Sequence, residues 1–309
     1  MLHSVVEKQK DLIDGNLQTS CDFLDKVLRH YNSCDIDVLS LDTALERLST
    51  PTDRPFVCFT FDDGYRDSLD LVLPLFRAHG KPFTVYVTTA LVERRMEYWW
   101  GALRELIRQS DVIVLESPGR RLNTVDHSGK LRAFRATLRS IACGEITVSE
   151  IDTMCRRKNL TPEDVLDMHA LTTSDLKVLA QDPLVEIGGH TDTHRPLSEL
   201  TVSDARHDIA RNRAYLEGLI QTEVRHFAYP FGDARACAER EFALCAEMGF
   251  RSATTARIGN LFLEHKDQKT ALPRLRFNGD CESIGFLECQ RTGATNAIAT
   301  RFGKPVATI

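Results

Sequence analysis

Two periods of apolar residues alternate along most of this chain. Between residues 19 and 31, Phe23, Val27 and Leu28 recur at helical spacing after a Thr-Ser start, and Leu41 to Leu48 repeats the pattern. Phe56 to Phe61 is instead a continuous run of β-forming residues stopped by two Asp and a Gly, which reads as a buried strand running into a loop. An amphipathic helix closed by Gly80 follows over 67–80, and a second buried strand over 83–89. The alternation returns with a strand at 184–189, a helix at 203–220 capped by Ser203 and a strand at 226–232 ending in a tight turn. A helix within 241–250 and strands at 250–255 and 271–277 complete it. At least six strands alternating with helices predict an α/β fold with a parallel sheet, open or closed into a barrel.

Residues 90–183 break this rhythm, since αβ connections usually span only about 2–6 residues. The stretch is mostly helical in pattern. Thr161 caps a helix with Pro162 at its first position, Thr172 and Asp175 stand at capping-box spacing, and 112–116 reads as a strand or hairpin. The organisation expected is an N-terminal helical segment over 1–55 packed on a barrel-like domain over 56–309, with a helical insertion at 90–183 lying over one face. Both tryptophans fall in Tyr98-Trp99-Trp100 at its start. Such residues stack on sugar rings or anchor an insertion by burial, and burial is the favoured expectation.

Composition narrows the class. The 309 residues carry 39 Lys+Arg against 44 Asp+Glu, a net charge of −5, which argues against a nucleic-acid partner. No stretch approaches 18 consecutive apolar residues, so no membrane span is expected. Glu7, Lys8, Lys10 and Asp11 interrupt the N-terminus, which is therefore not read as a signal peptide. The nine cysteines are odd in number, form no CxxC and mostly sit in apolar patterns, as free thiols do in a reducing compartment. A cytoplasmic location is the expectation.

Three segments carry chemistry. Thr60-Phe61-Asp62-Asp63-Gly64 ends a buried strand, where parallel α/β architectures build their sites. Asp-Gly alone also makes ordinary turns. Adjacent strand-end carboxylates diverge, however, so one can bind an ion while the other faces a water. Gly188-Gly189-His190-Thr191-Asp192-Thr193-His194 follows another strand, and two His four apart on one face of a helical turn suit one metal. Together the two segments supply one Asp and two His, a facial set that leaves positions open for water and substrate. In Phe227-Ala228-Tyr229-Pro230-Phe231-Gly232-Asp233, Pro230 and Gly232 shape a turn able to aim a main-chain N–H at an oxyanion.

In this order, TFDDG at 60–64, HTDTH at 190–194 and AYPFG at 228–232 resemble the motifs of the polysaccharide deacetylase family with its NodB-homology domain. GFRSATT followed by LPRLRF is similar to the branch acting on exopolysaccharides and related surface-glycan sugars. The resemblance implies an irregular (β/α) barrel of about seven strands and metal-dependent hydrolysis of an N-acetyl group from an amino sugar or glycan precursor. By motif position it implies Asp63, His190 and His194 as metal ligands, Asp62 as general base and the N–H of Phe231 at the oxyanion. Thr191 would support the histidine loop, and Tyr65, Tyr229 and Pro230 would meet substrate. One divalent ion is implied, with Zn the default and Co, Ni or Fe fitting the same ligands.

Four features of the family are not matched. No strand ending in Tyr-His precedes residue 19, so the barrel is open or its first strand replaced. Ala228 stands where relatives carry an Arg that pairs with the base, and Arg274 in LPRLRF is the candidate substitute, a surface ion pair being its alternative. The Asp- and Trp-containing motif and the Leu-x-x-His motif that supplies a general acid have no counterpart. A related C–N hydrolase acting on a non-sugar amide and a sugar-binding pseudoenzyme are the competing readings. Retention of both Asp62 and Asp63 speaks against the second, since a binder needs no base.

Overall fold

The structure is a computed structural model that describes residues 1–50, 54–116, 119–277 and 279–295. The chain begins with β1 (Ser4–Val6), which pairs in parallel with β2 (Gln18–Ser20). Helices α1 (Cys21–Ser33) and α2 (Leu41–Ser49) follow, capped by the side chains of Ser20 and Ser40. Between and after them, β3 (Asp37–Val38) pairs with β4 (Phe56–Val57). The apolar run predicted as one strand is thus two short ones, β4 and β5 (Thr60–Phe61).

The main sheet then assembles. Helix α3 (Leu73–His79), ended by Gly80 at φ 60°, leads into β6 (Phe83–Val87) and the short α4 (Thr89–Val92). The insertion contributes α5 (Trp99–Arg108), an antiparallel hairpin of β7 (Val112–Leu115) and β8 (Arg120–Asn123), α6 (His127–Ala142), α7 (Val148–Arg156) and α8 (Pro162–His169). Helix α9 (Thr173–Ala180) precedes β9 (Val185–Gly189), and α10 (Val202–Ile220) precedes β10 (His226–Ala228). Helix α11 (Glu239–Glu247), β11 (Ser252–Ile258), β12 (Leu272–Arg274) and α12 (Ile284–Arg291) complete the described chain. The cap of α10 is Thr201, whose side chain accepts from Asp204 N, and not Ser203. The capping box at Thr172 and the N-cap at Thr161 form as predicted, and Asp164 completes a second box at Thr161.

The six-stranded parallel sheet has the order β12-β11-β10-β9-β6-β5 and curls into an open half-barrel. Its opening is not bare. Leu2 N donates to Thr60 O at 2.8 Å, Asp62 N donates to Leu2 O at 2.9 Å, and Phe277 N donates to Met1 O at 3.0 Å. Residues 1–3 therefore run beside β5 and reach the chain that leaves β12. This corrects one expectation: the N-terminal segment is not purely helical, since β1 and β2 lie within it, too short to show as a period.

Two cores hold the molecule. The larger joins α1, α3, α9 and α10 to one face of the sheet strands through residues such as Leu24, Phe76, Val85, Leu216 and Phe227. The second belongs to the insertion and gathers Leu103, Leu106, Phe134, Ile151 and Leu166. Leu176 and Leu179 of α9 pack in the larger core, so the insertion ends near residue 170 rather than at 183.

Candidate metal centre

The carboxyl ends of β5, β9 and β10 carry the three motifs. β5 delivers Asp62 and Asp63, and the backbone divides them. Asp63 stands at φ 78° and is followed by Gly64 at φ 96°, so the chain reverses and the two carboxylates part. Asp62 meets Arg274, which forks onto it with Nη1–Oδ1 at 2.7 Å and Nη2–Oδ2 at 2.8 Å. Both are buried, and Arg274 Nε is spent on Thr255 O at 2.8 Å. Burial alone pushes the Asp62 carboxyl up, but Arg274 and His190 outweigh it and hold the group below the usual carboxylate range. The substitute proposed for the missing arginine thus pairs with Asp62 in a planar, two-bond geometry.

Asp63 turns to the histidines. Its Oδ1 lies 3.3 Å from His190 Nε2 and 3.2 Å from His194 Nε2. The histidine loop is not the helical turn expected from the spacing. Thr191 and His194 both take left-handed backbone, at φ 66° and 58°, and Thr191 Oγ1 accepts from His194 N at 2.9 Å. His190 Nδ1 faces Ala228 O at 2.7 Å, so that nitrogen carries a proton and Nε2 is the one turned toward Asp63. Asp63 Oδ1 is buried and has no hydrogen-bond partner. The three ligand atoms lie within 4.8 Å of one another. A buried carboxylate oxygen without a hydrogen-bond partner, faced by two imidazole nitrogens, is a set that a divalent cation could complete.

Two residues of α10 hold this loop. Asn212, fully buried, accepts from His190 N at 3.0 Å and donates to Val87 O at 3.0 Å and Thr89 Oγ1 at 2.8 Å. Asp208, one turn earlier, accepts from Asp192 N, from Thr193 N and from the Thr193 hydroxyl. Gly189 permits the approach, since a Cβ there would stand 2.8 Å from Asn212 Oδ1. Their only signal in the sequence is a buried-type Asp and Asn at i, i+4 on a helix, which is a weak one.

His3 also reaches the site and was not anticipated. Its Nε2 lies 3.9 Å from Asp62 Oδ2, and burial lowers its pKa against the pull of Asp63 and Asp62. Phe231 stands at φ 61°, its N–H makes no hydrogen bond among the described residues, and its ring is 58% exposed. Of the eight non-glycine residues with positive φ among the described residues, Asp63, Thr191, His194 and Phe231 converge here, a concentration of backbone strain typical of functional sites.

The three residues expected to meet substrate lie behind the surface instead. The Tyr229 ring is buried between Phe227 and Phe242, and its hydroxyl donates to Thr270 O at 2.9 Å. The strand alternation that turns Ala228 inward sends Tyr229 outward beneath α11. Pro230 is buried and its carbonyl accepts from Gly232 N at 2.7 Å, so it shapes the turn. Tyr65 is buried under the insertion, its hydroxyl taking the Trp100 Nε1 proton at 3.1 Å.

A family model for polysaccharide deacetylases matches residues 49–119 and 149–252, more than half of the chain. None of the curated proteins matches the sequence. Among solved structures, the Streptococcus pyogenes deacetylase PplD in complex with acetate superposes with a TM-score of 0.61 at 16% identity, covering 94% of this chain and 96% of that one. The de-N-acetylase from Aggregatibacter actinomycetemcomitans gives 0.60 at 13% identity over 94% and 97%. IcaB from Ammonifex degensii gives 0.58 at 15% identity over 94% and 97%. At these identities the superpositions establish a shared fold.

Proposed function

Because the chain belongs to the polysaccharide deacetylase family, we propose that it hydrolyses an N-acetyl group from an amino sugar in a divalent-metal-dependent reaction. The observation that carries this reading is the separation of two neighbouring carboxylates, Asp62 onto an arginine fork and Asp63 onto two histidines. An ion held by Asp63, His190 and His194 would polarise the acetamide carbonyl and acidify the attacking water. Zn is the default for this ligand set, with Co, Ni or Fe as alternatives.

The chain's own groups do the rest. Asp62 takes the proton of the attacking water as general base, kept ionised and oriented by Arg274. The unbonded N–H of Phe231 faces the oxygen on which negative charge develops. His3, beside Asp62, is the side chain placed to return a proton to the leaving amine. Arg274 and His3 would fill the roles of two of the four unmatched family features, the base-pairing Arg and the general acid, which weakens the pseudoenzyme reading.

The substrate we propose is an N-acetylated sugar or glycan precursor met in a reducing, cytoplasmic compartment. Nine free cysteines support that location. No described helix is long and apolar enough to cross a membrane. The test is acetate release by the metal-loaded protein from UDP-N-acetyl sugars, lipid-linked sugars and N-acetylglucosamine oligomers. Release that disappears in Asp62→Asn, with metal content kept, is the expected result. Turnover unchanged in that variant would overturn the base assignment.

A further inference from the structure

Both ends of the insertion are tied to the metal-binding loops. At its entry, Thr89 N donates to Thr191 O at 3.2 Å and Ala90 N to Asp192 O at 2.8 Å, while Arg95 Nη2 reaches Asp192 Oδ1 at 2.8 Å. At its exit, Leu171 N donates to Gly64 O at 3.1 Å and Arg66 N to His169 O at 2.8 Å. The insertion therefore grows out of the histidine loop and returns to the Asp-Asp-Gly loop.

Its first helix brings an aromatic side chain between the two. Tyr98 is buried as an anchor, packed so closely on α5 that a Cβ at Gly101 would lie 2.0 Å from its ring. Arg104 bonds the Tyr98 hydroxyl and stands over the rings of Tyr65 and Tyr98 at 5.8 and 5.6 Å. Trp100 is only half-buried. Its indole N–H is fixed on Tyr65, and its ring centroid lies 6.4 Å from that of His194. Phe231 stands 5.2 Å from the same histidine. A metal ligand flanked by two partly exposed aromatic rings, one held by backbone strain and one by a hydrogen bond, is an arrangement that burial alone does not call for.

We infer that Trp100 is a specificity-determining residue, the insertion's contact with substrate, which takes the apolar C–H face of an N-acetylated pyranose beside His194. The inference rests on the proposed deacetylase reading and adds that recognition of the sugar ring, as distinct from the acetamide, is assigned to the insertion. Arg104, Tyr98 and Tyr65 are positioning residues for that ring.

The chain's only two tryptophans are Trp99 and Trp100, so selectively excited tryptophan fluorescence reports on this place alone. Titrating the protein with tetra-N-acetylchitotetraose should change the emission, and calorimetry should give a Kd that weakens about tenfold in Trp100→Ala. Trp100→Phe, which keeps a ring, should recover most of that loss. In turnover assays Trp100→Ala should raise KM for the oligosaccharide far more than it lowers kcat. Equal affinity of wild type and Trp100→Ala, or no recovery in Trp100→Phe, would overturn the inference. So would an emission indifferent to every N-acetylated sugar of the panel. Sugar binding that depends on Trp100 without any acetate release would instead remove the hydrolase reading and leave the contact standing.

Discussion

The same barrel holds two clusters of metal-ligand residue types, at opposite ends of the same strands. Asp63, His190 and His194 sit at the carboxyl ends, and Asp42, Glu186 and His226 sit where β9 and β10 begin. In the second cluster every ligand atom already has a partner. Glu186 accepts from Leu41 N at 2.8 Å and Thr84 Oγ1 at 3.1 Å, capping α2. Asp42 takes Arg225 and Arg251, and His226 bonds Asp42 at 3.1 Å and Ser252 Oγ at 2.8 Å. In the first, Asp63 Oδ1 has none. The donor types are alike, and what differs is whether the fold has satisfied them. An unsatisfied buried carboxylate oxygen is costly, and beside two histidines it makes the first cluster the candidate cation site, whereas the satisfied cluster ties α2 to the base of the barrel.

The sharpest way to break this comparison is to remove ligands from each end. Asp63→Ala or His190→Ala should abolish metal retention and activity, read by elemental analysis of the purified protein and by acetate release. Asp62→Asn should keep the metal while kcat falls by about 10²–10⁴. Loss of the loop support in Asn212→Ala or Asp208→Ala should weaken metal affinity by about 10–100-fold, measured by chelator competition.

The pH profile sharpens the contrast further. Arg274 holds the Asp62 carboxyl below its ordinary value, so Asp62 is ionised above that low pKa and loses its basic form only as pH falls through it. In Arg274→Met the lowering influence of the guanidinium is gone and burial still raises the pKa. The acid limb of kcat/KM should therefore move to higher pH, and a limb that stays in place would refute the pairing's role. The smallest effect is expected at the satisfied end. His226→Ala should cost about 1–3 kcal/mol of stability by denaturant unfolding while metal content stays that of the parent protein.

Much of the site was legible because its chemistry is local. Asp62 and Asp63 are adjacent at a strand end, His190 and His194 share one loop, and Arg274 could be singled out because it lies in a predicted strand while position 228 lacks the family's Arg. His3 was not legible, since it lies just before the three-residue β1 and its nearness to Asp62 joins positions far apart in the chain. Asp208 and Asn212 look like ordinary polar positions on a helix until the loop they hold is in view. Tyr229 and Pro230 were misread because a motif names residues without saying which way an alternating strand turns them.

By itself the sequence determined the alternation of strands and helices, the family and the residues able to hold a metal, because periodicity and short-range spacing are properties of neighbouring positions. Only the tertiary structure decided which carboxylate meets the arginine, which histidine nitrogen faces Asp63, and that the insertion brings Trp100 to the site. Those outcomes depend on left-handed backbone at Asp63, Thr191 and His194 and on contacts between residues far apart in the chain. A side chain's direction and its unsatisfied atoms are set there, by packing and hydrogen bonding across the fold, and not by its neighbours in sequence.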